Sequence, residues 1–252
     1  MELAEKRALV CGASKGIGKA TAQALVARGA TVYALARNEA ALAAMADELG
    51  VVPVTADLED HAALAETIGA LLGDGAIHIL VHNTGGPPGG PLLEAGLDEL
   101  QKAFGRHVLS AQLLAKALVP GMAEAGFGRI VNVVSTSVRE PIPNLGVSNT
   151  IRAAMGGWAK SLSRELPAGV TINNVLPGFT DTDRLVSLRE GIAARTGQST
   201  DAVLAGWLAQ VPEGRLVQPE ETAAAIAFLC SPSAGAIRGV SLAVDGGRMR
   251  SI

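Results

Sequence analysis

Charged side chains are sparse in this chain, and neither sign dominates. Charged residues make up 18% of the 252 positions, hydrophobic residues 48%, and the net charge is −3. Such a composition excludes a disordered chain, which has too little apolar surface to bury. The lack of a basic excess excludes an electrostatic footprint for nucleic acid or for an anionic membrane surface. No apolar run approaches the ~18–20 residues that a spanning helix requires. Met1 to Arg7 is charged, lacks a secretory hydrophobic region and runs straight into an apolar strand. Cysteine is limited to Cys11 and Cys230. Both lie in apolar surroundings, so they read as small buried hydrophobes and not as a disulfide framework. A cytoplasmic location is expected. Aromatic residues are also few: four Phe, two Trp and one Tyr, Tyr33.

What the chain does contain is alternation. Arg7–Cys11, Thr31–Ala36, Val51–Thr55, Ile77–His82, Arg129–Val134, Thr171–Val175 and Val240–Val244 are short, nearly continuous apolar runs. That pattern fits parallel strands covered on both faces. Helical patterns separate them at Ile17–Ala27, Glu39–Leu49, Ala62–Leu72, Leu97–Ala125, Thr150–Arg164 and Glu220–Leu229. The expected fold is a single-domain α/β Rossmann unit, a doubly wound parallel sheet of about seven strands with helices on both faces. Two interruptions stand out. Gly85–Pro91 is a Gly/Pro loop after a strand. Thr180–Val211 is polar, then weakly helical, and is a candidate lid over a crevice at the carboxyl end of the sheet.

The first strand runs into Cys11-Gly12-Ala13-Ser14-Lys15-Gly16-Ile17-Gly18 and then into a helix. Glycines there let backbone approach a pyrophosphate, and the helix N-terminus favours the anion. The strand–turn–helix context makes this a dinucleotide site. Arg37 follows the second strand, where an acid would grip the ribose 2′-hydroxyl of NAD. With Lys15 nearby and no acid at that strand end, the expected cofactor is NADP(H) over NAD(H).

These motifs together resemble the short-chain dehydrogenase/reductase family, including its 3-oxoacyl-acyl-carrier-protein-reductase-like members, over essentially the whole chain. Cys11–Gly18 resembles the family's glycine loop, Ala56-Asp57-Leu58 its adenine-contacting segment, and His82-Asn83-Thr84-Gly85 its Asn-Asn-Ala-Gly. Pro177-Gly178 with Thr182 resembles the segment that meets the nicotinamide carboxamide, and Val244–Gly247 the C-terminal strand ending. The resemblance implies a cofactor set of Gly12, Ser14, Lys15, Gly16, Ile17, Gly18, Arg37, Asn38, Asp57, Leu58, Asn83, Gly85, Arg152, Pro177, Gly178 and Thr182, with no metal. It also implies a small-molecule substrate and a homotetramer or homodimer packed through the Leu97–Ala125 and Ala153–Trp158 helices.

The family's catalytic set is Asn, Ser, Tyr and Lys. Ser135 occupies the serine position, but the tyrosine position holds Ser148, the lysine position Arg152 and the asparagine position His107. Tyr33 lies in the second strand and cannot substitute. Serine is a far weaker acid than phenol, and Arg152 stays charged and cannot relay a proton. His107 titrates in the right range to supply the proton, directly or through water, while Ser135 and Arg152 polarise a carbonyl; it also reads as a packed helix histidine. Arg184, Arg189 and Arg195 read as a solvated face or as a signal of an acidic substrate. Two readings of function stand: an NADP(H)-dependent oxidoreductase on a carbonyl/alcohol pair with an atypical catalytic set, and a noncatalytic NADP(H)-binding or redox-sensing homologue. NADPH is expected to bind more tightly than NADH, and Arg37→Asp to erase the preference, a change of roughly tenfold to a hundredfold. Equal affinities for the two nucleotides in calorimetry at moderate salt would refute the cofactor assignment.

Overall fold

Apolar strands with both faces in need of cover can only form the middle layer of a sandwich, and this chain forms one. The computed structural model describes residues 1–251. Its strands are β1 (Arg7–Cys11), β2 (Thr31–Ala36), β3 (Val52–Thr55), β4 (Ile79–His82), β5 (Gly128–Val133), β6 (Val170–Pro177) and β7 (Ser241–Val244). They pair in parallel in the order β3-β2-β1-β4-β5-β6-β7. This is the doubly wound seven-stranded sheet expected from the alternation. Strand order reverses between β1 and β4, so the crossovers diverge there and leave a crevice at the carboxyl ends.

The helices are α1 (Gly16–Val26), α2 (Glu39–Leu49), α3 (His61–Gly73), α4 (Leu97–Phe104), α5 (Ser110–Glu124), α6 (Gly146–Glu165), α7 (Asp183–Thr196), α8 (Thr200–Leu208) and α9 (Pro219–Leu229). Alternate residues of β1 show how the two layers divide. Ala8 and Val10 pack with Leu25, Leu42 and Ile226 from α1, α2 and α9. Leu9 and Cys11 pack with Leu64, Leu114 and Ala159 from α3, α5 and α6. Both cysteines are buried and free, as their surroundings suggested.

Three departures from the sequence pattern have physical causes. Strand β3 lies at the sheet edge, where Val52 is exposed and Pro53 is tolerated because an edge residue needs no second ladder bond. Helix α6 begins at Gly146, which puts Ser148 in its first turn. The apolar pattern at Leu97–Ala125 is not one α-helix: a π turn, Gly105–Leu109, separates α4 from α5. Wider turns of this kind re-aim side chains and recur at functional sites. Here the turn carries His107 into the interior, where it is 1% exposed.

The segment after β6 folds as α7 and α8. Phe179 stacks on Trp207 at 5.0 Å, tying α8 to the end of β6. Helix α7 buries none of its residues fully, so little holds it against the body. Among the described residues no helix is long and apolar enough to cross a membrane, and no His/Cys/Asp/Glu cluster could hold a metal. The layered core and the loosely held α7 should respond differently to truncation. Leu114→Ala, at a site of no exposure, should cost roughly 2–5 kcal/mol in chemical denaturation. Val186→Ala in α7 should stay within about 0.5 kcal/mol; equal losses would contradict the packing described.

Candidate functional site

A cleft of about 710 Å³ opens at the carboxyl ends of β1, β2, β4, β5 and β6. One end is built by the loop from β1 to α1. Gly12 and Gly16 have φ of +59° and +54°, where a side chain is strained. A Cβ on Gly12 would sit 2.7 Å from the Asn83 carbonyl oxygen, and one on Gly18 only 2.1 Å from the Gly12 carbonyl oxygen. Gly18 therefore packs the loop against its own helix and does not line the cleft, unlike Gly12, Ser14, Lys15, Gly16 and Ile17. Helix α1 has no side-chain cap and no acid in its first turn, so its leading N–H groups are left for an anion.

The adjoining region holds Arg37, Asn38, Asp57 and Leu58. Arg37 is not wholly without an acid, because Asp57, beyond β3, lies 3.7 Å away. Lys15 likewise lies 3.6 Å from Asp183. The Arg37 side chain is 69% exposed, so this pair is worth little and leaves the guanidinium available. Two of these residues also serve local structure. Asn38 caps α2 by accepting from the Ala41 N–H, and Asp57 accepts from the Glu59 N–H.

The other end brings together Asn83, Thr84, Gly85, Ser135, Ser148, Arg152, Pro177, Gly178 and Thr182. Asn83 donates through Nδ2 to the Gly12 carbonyl at 3.3 Å, fastening the two loops together. Ser135 Oγ accepts from the Ser137 N–H, which leaves its hydroxyl hydrogen free to donate. Thr182 caps α7. Arg152 is 8% exposed and donates through Nη1 to the Val133 carbonyl at 3.0 Å. Burial, and then the facing charge of Arg184, lower its pKa to about 10; it remains a cation at neutrality.

His107 stands apart. It does not line the cleft but lies behind Thr84, whose Oγ1 is 2.7 Å from its Nδ1. Burial first, then the charges of Arg152, His82 and Arg106, lower its pKa to about 2. An imidazole so placed is neutral near pH 7, so the expectation of an imidazolium proton donor is not met by this environment. His82, which sequence reasoning passed over, is a second buried imidazole, with Nε2 2.9 Å from Ser110 Oγ. Burial and Arg152 lower its pKa to about 3. The Tyr33 hydroxyl accepts from Arg7 and does not line the cleft. Sequence reasoning also missed Thr84, Gly86 and Arg106 as lining residues. Thr84 lies within the quoted His82–Gly85 motif and Gly86 follows it, which was a usable signal; Arg106 lies on the π turn.

Comparisons with known proteins bear on the family and the fold. Residues 12–248 match the family model described as enoyl-(acyl carrier protein) reductase. The chain belongs to the short-chain dehydrogenase/reductase family. Among its relatives in that family is the 3-oxoacyl-[acyl-carrier-protein] reductase FabG of Vibrio harveyi, 39% identical across 98% of each chain. Among solved structures, L-sorbose reductase from Gluconobacter frateurii complexed with NADPH and L-sorbose superposes with a TM-score of 0.91, 27% identity and full coverage of both chains. YwfH, an NADPH-dependent reductase involved in bacilysin biosynthesis, also gives 0.91 at 27% identity, covering 99% of this chain and 100% of its own.

The two buried imidazoles generate a pH prediction. In the unfolded chain each takes up a proton below about pH 6.5, whereas in the folded protein neither does until far lower. Each therefore lowers stability by about 1.4 kcal/mol per pH unit as the pH falls below that point, toward 3. Denaturation at pH 7 and pH 5 should show His107→Asn with a shallower loss than wild type, by one proton's worth. Identical slopes would mean that His107 is not buried in its neutral form.

Proposed function

We propose that this chain is an NADP(H)-dependent reductase acting on a carbonyl/alcohol pair with a set of groups in which no phenol takes part. One observation carries this reading: a single cleft joins an uncapped helix N-terminus and glycine cradle to Ser135 and a buried Arg152. The residues fit the cofactor. The backbone of Gly12, Ser14, Lys15, Gly16 and Ile17 meets the pyrophosphate, supported from behind by Gly18. Arg37, with Lys15 and Asn38, meets the 2′-phosphate, and Asp57 and Leu58 flank the adenine. Asn83 and Gly85 support the middle of the cofactor, Arg152 the nicotinamide ribose, and Pro177, Gly178 and Thr182 the carboxamide. The chemistry that a reduced nicotinamide held there would supply is hydride transfer to a carbonyl carbon.

The chain's own residues then manage the oxygen. Ser135 and Ser148 donate hydrogen bonds to it, and the fixed charge of Arg152 favours the negative charge that develops there. Neither serine nor arginine gives up a proton at neutral pH. His107 holds Thr84 in place, and water in the cleft supplies the proton. The segment at 180–211 closes over the cleft as a lid. Exposed Leu93, Leu97, Phe104 and Leu109 support association with further copies of the chain as a dimer or tetramer.

The lack of a titratable acid near neutrality among the cleft residues favours the second reading, a noncatalytic NADP(H)-binding homologue. Turnover separates the two. Following NADPH absorbance with a panel of aldehydes and ketones, wild type should oxidise the cofactor, and Arg152→Ala should slow it about 10²-fold or more. Suppose instead that wild type binds NADPH without turnover while Ser148→Tyr with Arg152→Lys turns over. The fold is then a competent scaffold whose chemistry is switched off.

A further inference from the structure

Arg152 and Arg184 belong to different elements, α6 and the first turn of α7. Their guanidinium groups, that of Arg152 buried and that of Arg184 on an exposed residue, nevertheless both reach the space over Gly86. The place where a side chain on Gly86 would begin is 3.5 Å from Nη2 of Arg152 and 3.8 Å from Nη2 of Arg184. Arg184 is fixed there by donating to the Pro87 carbonyl at 2.7 Å. Arg152 Nε is buried and has no hydrogen-bond partner among the described residues. Neither arginine joins any ion pair among the described residues. The imidazoles that lie near Arg152 carry no negative charge in either protonation state and cannot serve as counter-ions.

Burying a cation without a partner is costly, and setting a second cation against it adds to the cost. An anion lying between them removes both penalties. Guanidinium forks match the two oxygens of a carboxylate, and a Cβ at position 86 would touch both guanidiniums without overlapping either. We propose that the substrate carries a carboxylate, bound between Arg152 and Arg184 over Gly86. This deepens the reductase reading and rests on it for the word substrate. The cofactor's pyrophosphate is the other source of such an anion. Its place, the cradle at Gly12–Ile17, is already built from other residues.

The test measures binding, not turnover. Protein saturated with NADPH is titrated calorimetrically with acetoacetate, phenylpyruvate and benzoate, and with the methyl ester of each. At least one acid should bind at least about tenfold more tightly than its ester, and Arg184→Met should remove that margin while NADPH affinity is kept. Gly86→Asp places a carboxylate of the chain's own between the guanidiniums. It should abolish acid binding and raise the unfolding temperature above that of Gly86→Asn, which has the same size without the charge. The proposal fails if no acid binds, if acids and esters bind alike, or if Gly86→Asp and Gly86→Asn melt together. It also fails if Arg184→Met weakens NADPH by the factor by which it weakens the acid, since the anion is then the cofactor's. Acid binding with no turnover on any carbonyl would sustain the carboxylate site and remove the reductase reading. Acid binding to a protein that does not bind NADPH would do the same.

Discussion

Cover on both faces of the parallel sheet is the constraint from which the rest of this molecule follows. The five strands between the sheet edges, β2, β1, β4, β5 and β6, are shielded by helices above and below, so a ligand cannot reach the middle of the layer. Only the strand ends are open, and the reversal of strand order beside β1 leaves room at one of them. Residues far apart in sequence meet at that end because each follows a strand. Gly12 follows β1, Arg37 follows β2, Asn83 follows β4 and Ser135 follows β5, while Pro177 closes β6. The core pins these positions to within a side chain's reach, whereas α7 packs too lightly to be pinned in the same way.

Within the cleft the fixed charge of Arg152 organises its neighbours. It lowers the proton affinity of His82 and His107, and Arg184 in turn acts on it. Burial first, and then this positive centre held out of water, keep the imidazoles neutral, and Arg152 keeps its end of the cleft electropositive. The π turn matters here because it directs His107 inward, beside Thr84, where a regular helix continued from α4 would turn different positions toward the interior.

The sequence was most informative where one period or one spacing decides the structure. β1 and β2 were legible to the residue, since an unbroken apolar run between polar flanks has few other fates. The glycine loop was legible from the spacing of Gly12, Gly16 and Gly18, although Gly18 turned out to support the loop and not to line the cleft. The π turn was not legible, because hydrophobic periodicity continues through Gly105–Leu109 and one wide turn leaves little trace in it. The environment of His107 was hidden for the same reason: its ordinary pKa says nothing about burial beside Arg152. Arg184 could be read as a surface cation or as part of an acidic-substrate site. Its contact with the Gly86–Pro87 loop depends on how α7 lies across the cleft, which no local pattern encodes.

An arginine where a proton-relaying pair would stand changes what a reductase site can be asked to do. A guanidinium is suited to holding negative charge, because it does so without reorganising and without changing protonation. It is unsuited to giving up a proton for the same reason. A site built around Arg152, with Ser135 and Ser148 as neutral donors, therefore separates two tasks that a phenol combines. On the proposed reading the protein stabilises the developing oxyanion, and the solvent delivers the proton. That separation requires water to reach the cleft at the moment of reaction, and it tolerates a lid that is held lightly. It also makes a second negative charge on the substrate an asset, since the carboxylate proposed to lie between Arg152 and Arg184 meets the same fixed positive charge. On the proposed reading, the charge that together with burial holds His107 neutral is also what would suit the cleft to an oxo acid.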